Sequence, residues 1–270
     1  MIKLKLTMTE FEKITSRDNQ RLVDVRKIRD GKVTDRIFIE GRRLAAEALR
    51  SDILVSECFV AQGFGDRELA DAIVERTNSI VELPERLFKT IADTDQPQGI
   101  VLIAQKPKTG PASFESESGA LPVTLFLKEI NNPSNLGAIM RTGEAAGVAG
   151  VIVSKRSADV YSPKALRAAM GSTFRMPVWE NAELDEALKW ARESNLMTTA
   201  ADVSASVSYA EIDWKRPRLL IFGSEAHGLD GGELSKISDL IKIPMSNNVE
   251  SLNLAVSAGI ILFEAKRQNS

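Results

Sequence analysis

The sequence predicts an α/β protein of two domains, the second built on a mostly parallel sheet. Three observations carry this. Short apolar runs alternate with helical patterns along most of the 270 residues. Runs in the second half, such as Leu219-Leu220-Ile221-Phe222, are continuously apolar, the pattern of strands covered on both faces. Between the halves, Lys106-Pro107-Lys108-Thr109-Gly110-Pro111 and the Ser- and Glu-rich residues after it show no periodicity and read as a linker. Residues 1–106 are thus the first domain, 107–119 the linker and 120–270 the second domain.

In the first domain, residues 17–29 read as a helix with charges interleaved among Leu22, Val23, Val25 and Ile28, and Asp30-Gly31 marks the turn after it. Arg36-Ile37-Phe38-Ile39-Glu40 reads as a strand. Gly41 then leads into a helix over 42–49, where Leu44, Ala45, Ala48 and Leu49 share one face. A strand over 53–60, a helix over 66–77, a strand over 79–83, a helix opened by Pro84 and a strand over 100–104 complete a compact α/β sandwich.

In the second domain, strands are expected at 123–127, 151–153, 197–201, 219–222 and 240–243. Helices are expected at 136–146, 163–170 (with Pro163 in the first turn), 184–194 and 252–267. The run Gly143-Glu144-Ala145-Ala146-Gly147-Val148-Ala149-Gly150 does not fit a dinucleotide fingerprint. Its spacing is wrong and its glycines end a helix rather than open one, so Gly147 reads as a C-terminal glycine.

Bulk composition narrows the chemistry. The formal net charge is −2, so nothing global demands a polyanionic partner. Residues 1–50 nevertheless hold thirteen Lys and Arg against eight Asp and Glu. A solvated helix face and a nucleic-acid-binding surface both explain that excess. The single cysteine, Cys58, lies in a strand-like run and excludes an internal disulfide and a multi-Cys zinc site. His227 is the lone histidine, so no paired-histidine metal site exists and no metal is expected. No signal peptide and no membrane-length apolar run are visible, and a reducing cytoplasm is the expected location.

Three separated segments each end an apolar run in a polar, Gly- or Asn-bearing turn. In the first, Asn135 follows Pro133 and reads either as a helix N-cap or as a ligand group; Gly137 permits close approach, and Arg141 follows on the helix. In the second, Gly223 ends a strand, Glu225 follows and Gly228 closes the turn. Such turns are where ligands sit in open α/β sheets, although plain turn glycines explain them equally. In the third, Ser251 reads as the N-cap of the last helix, with Asn253 in its first turn.

Together, Asn135-x-Gly137-Ala138-x-x-Arg141, Gly223-x-Glu225-x-x-Gly228-Leu229 and Ile243-Pro244 followed by Glu250-Ser251-Leu252-Asn253 resemble, in order and spacing, the three motifs of the SpoU/TrmH family. Its members are S-adenosylmethionine-dependent RNA ribose 2′-O-methyltransferases. Pro163-Lys164-Ala165-Leu166-Arg167-Ala168-Ala169-Met170-Gly171-Ser172 is similar to a family stretch between the first two motifs. Ile39-Glu40-Gly41-Arg42-Arg43-Leu44 and Gln96-Pro97-Gln98-Gly99-Ile100 are similar to parts of its N-terminal substrate-binding domain. Two departures stand out: Ser224, where an Asn is common, and Lys128-Glu129-Ile130-Asn131, where many relatives carry an Asp.

The resemblance implies a trefoil-knotted SPOUT-type parallel-sheet domain at the C-terminus and a smaller N-terminal domain resembling an RNA-binding ribosomal protein. It implies S-adenosylmethionine held largely by backbone groups of the loops beginning at Gly223, Ile243 and Leu252, and a homodimer. It places Arg141, Asn135, Glu225, Ser251 and Asn253 in the catalytic machinery. Arg141 is expected to clamp a phosphate and stabilise developing oxyanion charge, or to serve as the base when activated through a phosphate. Arg17, Arg21, Arg42 and Arg43, from the basic N-terminal half, are the candidate RNA contacts. Ribosomal RNA is the expected substrate, with transfer RNA or a non-catalytic RNA-binding role as alternatives.

Overall fold

A computed structural model describes residues 11–114, 121–247 and 249–270. These divide into two compact units. One comprises the residues up to Pro107 together with Tyr161–Arg175; the other comprises Lys108–Val160 and Met176–Ser270.

The first unit holds β1 (Glu12–Lys13), α1 (Gln20–Arg29), β2 (Arg36–Glu40), α2 (Arg42–Arg50), β3 (Val55–Ala61), α3 (Arg67–Arg76), β4 (Ile80–Leu83), α4 (Glu85–Ile91) and β5 (Ile100–Gln105). Among the described residues they form a five-stranded mixed sheet in the order β1-β4-β3-β5-β2, with β5 antiparallel to both its neighbours. Alternate strand residues feed opposite faces. Phe38, Phe59, Val81, Val101 and Ile103 pack with Leu22, Val25 and Ile28 of α1 and with Leu87, Phe88 and Ile91 of α4. The intervening Ile37, Ile39, Cys58, Val60 and Leu102 are buried as well, as are Leu44, Ala45 and Ala48 of α2. Both faces of the sheet are therefore covered along β2 and β5, which is why Ile37–Ile39 and Ile100–Ala104 read as unbroken apolar runs. Burial pushes the Cys58 thiol up from its ordinary value, so it stays protonated and inert. The side chain of Asn19 caps α1 by accepting from the Arg21 amide at 3.0 Å.

The second unit holds β6 (Leu121–Leu127), α5 (Pro133–Ala146), β7 (Val148–Ser154), β8 (Val178–Ala182), α7 (Leu184–Glu193), β9 (Met197–Ala201), β10 (Val207–Ser208), β11 (Arg218–Phe222), α8 (Gly231–Leu234), β12 (Asp239–Lys242) and α9 (Leu254–Gln268); α6 (Pro163–Ala169) belongs to the first unit. Its described strands form a seven-stranded sheet, β10-β12-β9-β11-β6-β7-β8, in which every pairing is parallel. Phe126, Ile152, Ala200, Leu219 and Ile221 pack with Ala187, Leu188 and Ala191 of α7. Gly147 ends α5 in the left-handed conformation, φ 92°, as its place after the helical run predicts. Strand β8 was not expected. Its Val-Trp-Glu-Asn-Ala sequence lacks an apolar run because it is an edge strand with only Val178 and Ala182 buried.

Two segments pack differently from their sequence pattern. The stretch 161–175 joins the first unit, where Arg175 bonds Glu47 at 2.6 Å and Lys106 lies over the Tyr161 ring at 5.0 Å. Within the expected linker, residues 111–114 form a 3-10 turn docked on the second unit. Gly110 N–H bonds the Val178 carbonyl at 3.2 Å, and the Phe114 ring lies 5.2 Å from that of Trp190. A β-carbon on Gly150 would come within 2.3 Å of that ring, so Phe114 fills the space a side chain would take. Linker residues 115–119 lie outside the described residues. Among the described residues no helix is long and apolar enough to cross a membrane.

Candidate functional site

Because β6, β9, β11 and β12 run parallel, their carboxyl ends meet at one edge of the second unit's sheet, where open α/β sheets place ligands. The loops that follow them enclose a cavity of about 740 Å³. It is lined by Asn132 and Asn135 after β6, by Ala201, Asp202 and Val203 after β9, and by Gly223–Gly228 after β11. Ile243 and Met245 after β12 and Glu250–Leu254 before and at the start of α9 complete it.

The loop after β11 is closed on itself. Ser224 N–H donates to the Gly228 carbonyl at 3.0 Å and Gly228 N–H returns a bond to the Ser224 carbonyl at 2.9 Å. His227 N–H donates to Ser224 Oγ at 3.1 Å, and the His227 side chain belongs to the cavity wall. Gly223 is required at the neck of this loop. A β-carbon there would lie 2.3 Å from the Gly228 carbonyl carbon and 2.6 Å from the Leu229 nitrogen.

Glu225 reaches out of that loop to α5. One carboxylate oxygen accepts from Asn135 Nδ2 and the other from the Asn132 backbone N–H at 3.3 Å. Asn135 Oδ1 in turn accepts from Asn253 Nδ2 at 3.1 Å. Asn253 Oδ1 accepts from the backbone N–H of Ala255 at 2.9 Å and of Val256 at 3.3 Å. Each amide therefore has one consistent orientation: the cap consumes the Asn253 oxygen, so its nitrogen must donate, and the same holds one step further at Asn135. Three segments are tied by one directional chain whose two links span 90 and 118 residues of sequence.

This geometry corrects two expectations about caps. Asn132, not Asn135, caps α5, accepting from the Ser134 N–H at 2.9 Å, and Pro133 takes the first helical position. Asn253, not Ser251, caps α9, because the helix begins two residues later than its apolar pattern suggested. Ser251 is exposed and lines the cavity. Gly223, Ile243 and Leu252 line it too.

Arg141 sits elsewhere. It is exposed on α5, outside the described cavity lining, and among the described residues it has no hydrogen bond or ion pair. It lies six residues beyond Asn135, about 9 Å along the helix. Helical Cα–Cβ bonds tilt toward the N-terminus, which is the cavity end of α5.

The four arginines of the first unit differ in availability. Arg21 is committed: it bonds Glu12 at 2.6 Å, Glu57 at 3.1 Å and Ser79 at 2.8 Å, and lies over Phe59. Arg42 is exposed, stacked 5.3 Å from the Phe64 ring centre with its Nε donating to the Gln98 carbonyl at 3.4 Å. Arg43 is exposed and without a hydrogen bond or ion pair among the described residues, and Arg17 is exposed.

The sequence reading missed Asp202, Val203 and Lys242 as cavity residues. Their only signal is position at a strand's end, and strand order had to be known before those ends could be placed together.

Comparison with known proteins agrees with this architecture. The SpoU rRNA Methylase family matches residues 122–263, and the MRM3-like substrate binding domain matches residues 19–102. The 23S rRNA (guanosine(2553)-2′-O)-methyltransferase RlmP of Bacillus subtilis is 28% identical over 259 residues, 95% of this chain and 100% of its own. An uncharacterized tRNA/rRNA methyltransferase of Mycolicibacterium vanbaalenii is 31% identical, over 89% of this chain and 79% of its own. The crystal structure of an AdoMet-bound rRNA methyltransferase from Sinorhizobium meliloti superposes with a TM-score of 0.84 at 30% identity, covering 95% of this chain and 98% of that one. With a family match over more than half its length and its three motif segments gathered around one cavity, this chain belongs to the SpoU rRNA methylase family.

Proposed function

We propose that this protein methylates the ribose 2′-hydroxyl of a structured RNA, ribosomal RNA in the first place. The observation that carries the reading is the hydrogen-bonded chain Glu225–Asn135–Asn253 beside a cavity at the strand ends, with an uncommitted arginine, Arg141, on the same helix as Asn135.

The cavity suits S-adenosylmethionine, the methyl donor of this family. Exposed Val203 and Leu252 offer apolar surface for the base, and the closed loop from Gly223 to Gly228 forms one wall of the cavity. The loops at Gly223, Ile243 and Leu252 would hold it. Bound there, it supplies a methyl group activated by a sulfonium. Arg141 would grip the phosphate next to the target ribose bidentately and stabilise charge developing on the 2′-oxygen. A free guanidinium is too weak a base at neutral pH to serve alone. Glu225, Asn135 and Asn253 would hold the three loops in register, and Ser251 would meet the ribose.

Incubating the protein with S-adenosylmethionine and either ribosomal RNA or transfer RNA, then mapping 2′-O-methyl marks, tests this directly. Marks on ribosomal RNA are expected. Marks on transfer RNA alone would reverse the substrate order, and methylation of a base would overturn the reaction.

RNA affinity in this reading comes from phosphate contacts by Arg17, Arg42 and Arg43. Removing Arg42 or Arg43 should weaken binding and lower the salt slope by about 0.7–0.9 for each lost contact. Arg21→Ala should behave differently. It should lower the melting temperature through lost ion-pair and hydrogen-bond contacts, at about 1 kcal/mol given its partial exposure. Filter binding across a salt series, with melting curves of the same variants, separates the two behaviours.

The working unit in this reading is a cytoplasmic homodimer with a knotted C-terminal domain. Val256 and Phe263 of α9 are each 50% exposed and seven residues apart on one face, whereas Ile261 is fully buried in the chain's own core. Sedimentation should give a dimer at micromolar concentration, and Phe263→Glu should yield a monomer. A wild-type monomer would refute the dimer.

A further inference from the structure

We propose that Asp202 recognises the ribose of the cofactor's adenosine. The inference rests on the cofactor cavity described above and assigns a residue that no motif contains. Asp202 follows β9, which lies between β11, bearing the Gly223 loop, and β12, bearing Ile243. It thus stands between two loops that hold the cofactor, and it lines their shared cavity.

Its carboxylate is held in place. The Asp202 N–H donates to the Ile241 carbonyl at 2.8 Å, which fixes the backbone in the sheet ladder. Oδ1 accepts from Ser204 N–H at 2.8 Å and from Ser204 Oγ at 2.5 Å. Oδ2 has no hydrogen-bond partner, and the carboxylate has no ion-pair partner, among the described residues. An ionised carboxylate only accepts, so a ligand meeting it must bring donors.

The neighbouring apolar side chains decide which donors. Val203, 61% exposed, is the next residue in the chain, and Leu252 faces the same cavity. A purine against that surface brings its attached ribose diol beside Asp202. An acid at the end of one strand beside a glycine turn at the end of its neighbour is the arrangement by which dinucleotide folds read ribose hydroxyls. Here the same juxtaposition arises on a different strand order.

Titration calorimetry with Asp202→Asn tests this. The amide oxygen keeps the Ser204 contacts and the volume, so the melting temperature should hold. Dissociation constants for S-adenosylmethionine and S-adenosylhomocysteine should both rise roughly tenfold, because the two share the adenosine. The 2′,3′-dideoxy analogue of S-adenosylhomocysteine should bind both proteins equally. Asp202→Ser, which shortens the acceptor, is the second variant should Asn fail to fold, and it should show the same pattern. A loss for S-adenosylmethionine alone would mean that Asp202 senses positive charge, and the ribose assignment would fail. It would fail equally if the affinities did not change, or if the loss persisted with the dideoxy analogue. Wild-type protein that bound neither natural ligand would instead overturn the cofactor cavity itself.

Discussion

Replacing Arg141 with alanine should cut methyl transfer by two to three decades, while cofactor affinity and melting temperature stay nearly unchanged. The magnitude is that of removing one charge-stabilising donor from a transition state, roughly 3–4 kcal/mol. The selectivity follows from where Arg141 stands. It is outside the described cavity lining, so the cofactor loses no contact. It is exposed and without hydrogen bonds or ion pairs among the described residues, so the fold loses little. Arg141→Lys should recover little, because a lysine keeps the charge but not the planar fork that meets two phosphate oxygens. Single-turnover rates with saturating S-adenosylmethionine, beside calorimetric affinity, check both parts. Near-full activity in the lysine variant would leave charge as the sole requirement and remove the bidentate clamp. An unaffected alanine variant would make Arg141 an ordinary surface residue.

Strands buried on both faces were legible because such strands write themselves as uninterrupted apolar runs. Leu219–Phe222 and Ile100–Ala104 are fully buried residue by residue. The two edge strands of the second unit were not. β8 buries only Val178 and Ala182, at its two ends, and β10 is two residues long, so neither leaves a run to find. Segments whose apolar face packs somewhere unexpected were half legible. Ala165, Leu166 and Ala169 announce a buried helix face, but nothing in their spacing says that the face belongs with the first unit. Phe114 sits in a stretch rich in Pro, Gly and Ser, and that stretch docks because its ring fills the space over the bare backbone at Gly150 and meets Trp190.

Site residues divided along the same line. Glu225, Asn135 and Asn253 could be named because their segments match a known pattern, yet the hydrogen-bond chain between them is a property of three loops converging in space. Asp202 lies in no motif. Its place beside Gly223 depends on β9 pairing with β11, a non-local register that local sequence does not encode. The cap residues illustrate a smaller failure of the same kind. Ser251 and Asn253 are both good N-caps by type, and the choice between them is made by Asn135, whose oxygen takes the Asn253 amide and so orients its cap.

Gly223→Ala should abolish cofactor binding, with affinity falling by at least about a hundredfold, or roughly 3 kcal/mol. One added methyl group would lie 2.3 Å from the Gly228 carbonyl carbon, 2.6 Å from the Leu229 nitrogen and 2.7 Å from the Gly228 α-carbon. All three are backbone atoms, so no side chain can swing aside and the loop itself must open. Opening it breaks the Ser224–Gly228 bridge and shifts Glu225, which is the link between this loop and Asn135. The cost therefore spreads from the cofactor's seat to the starts of α5 and α9. Global stability should fall by about 1–3 kcal/mol, the ordinary penalty of overpacking, which leaves a folded protein to assay. Gly228→Ala is the matched comparison. A β-carbon there meets nothing within 4 Å, and only its φ of +65° is unfavourable, so its loss should stay near 1 kcal/mol. Calorimetry with S-adenosylmethionine on both variants, with circular dichroism to confirm folding, decides the matter. Wild-type affinity in a folded Gly223→Ala protein would show that the cofactor does not rest on this loop.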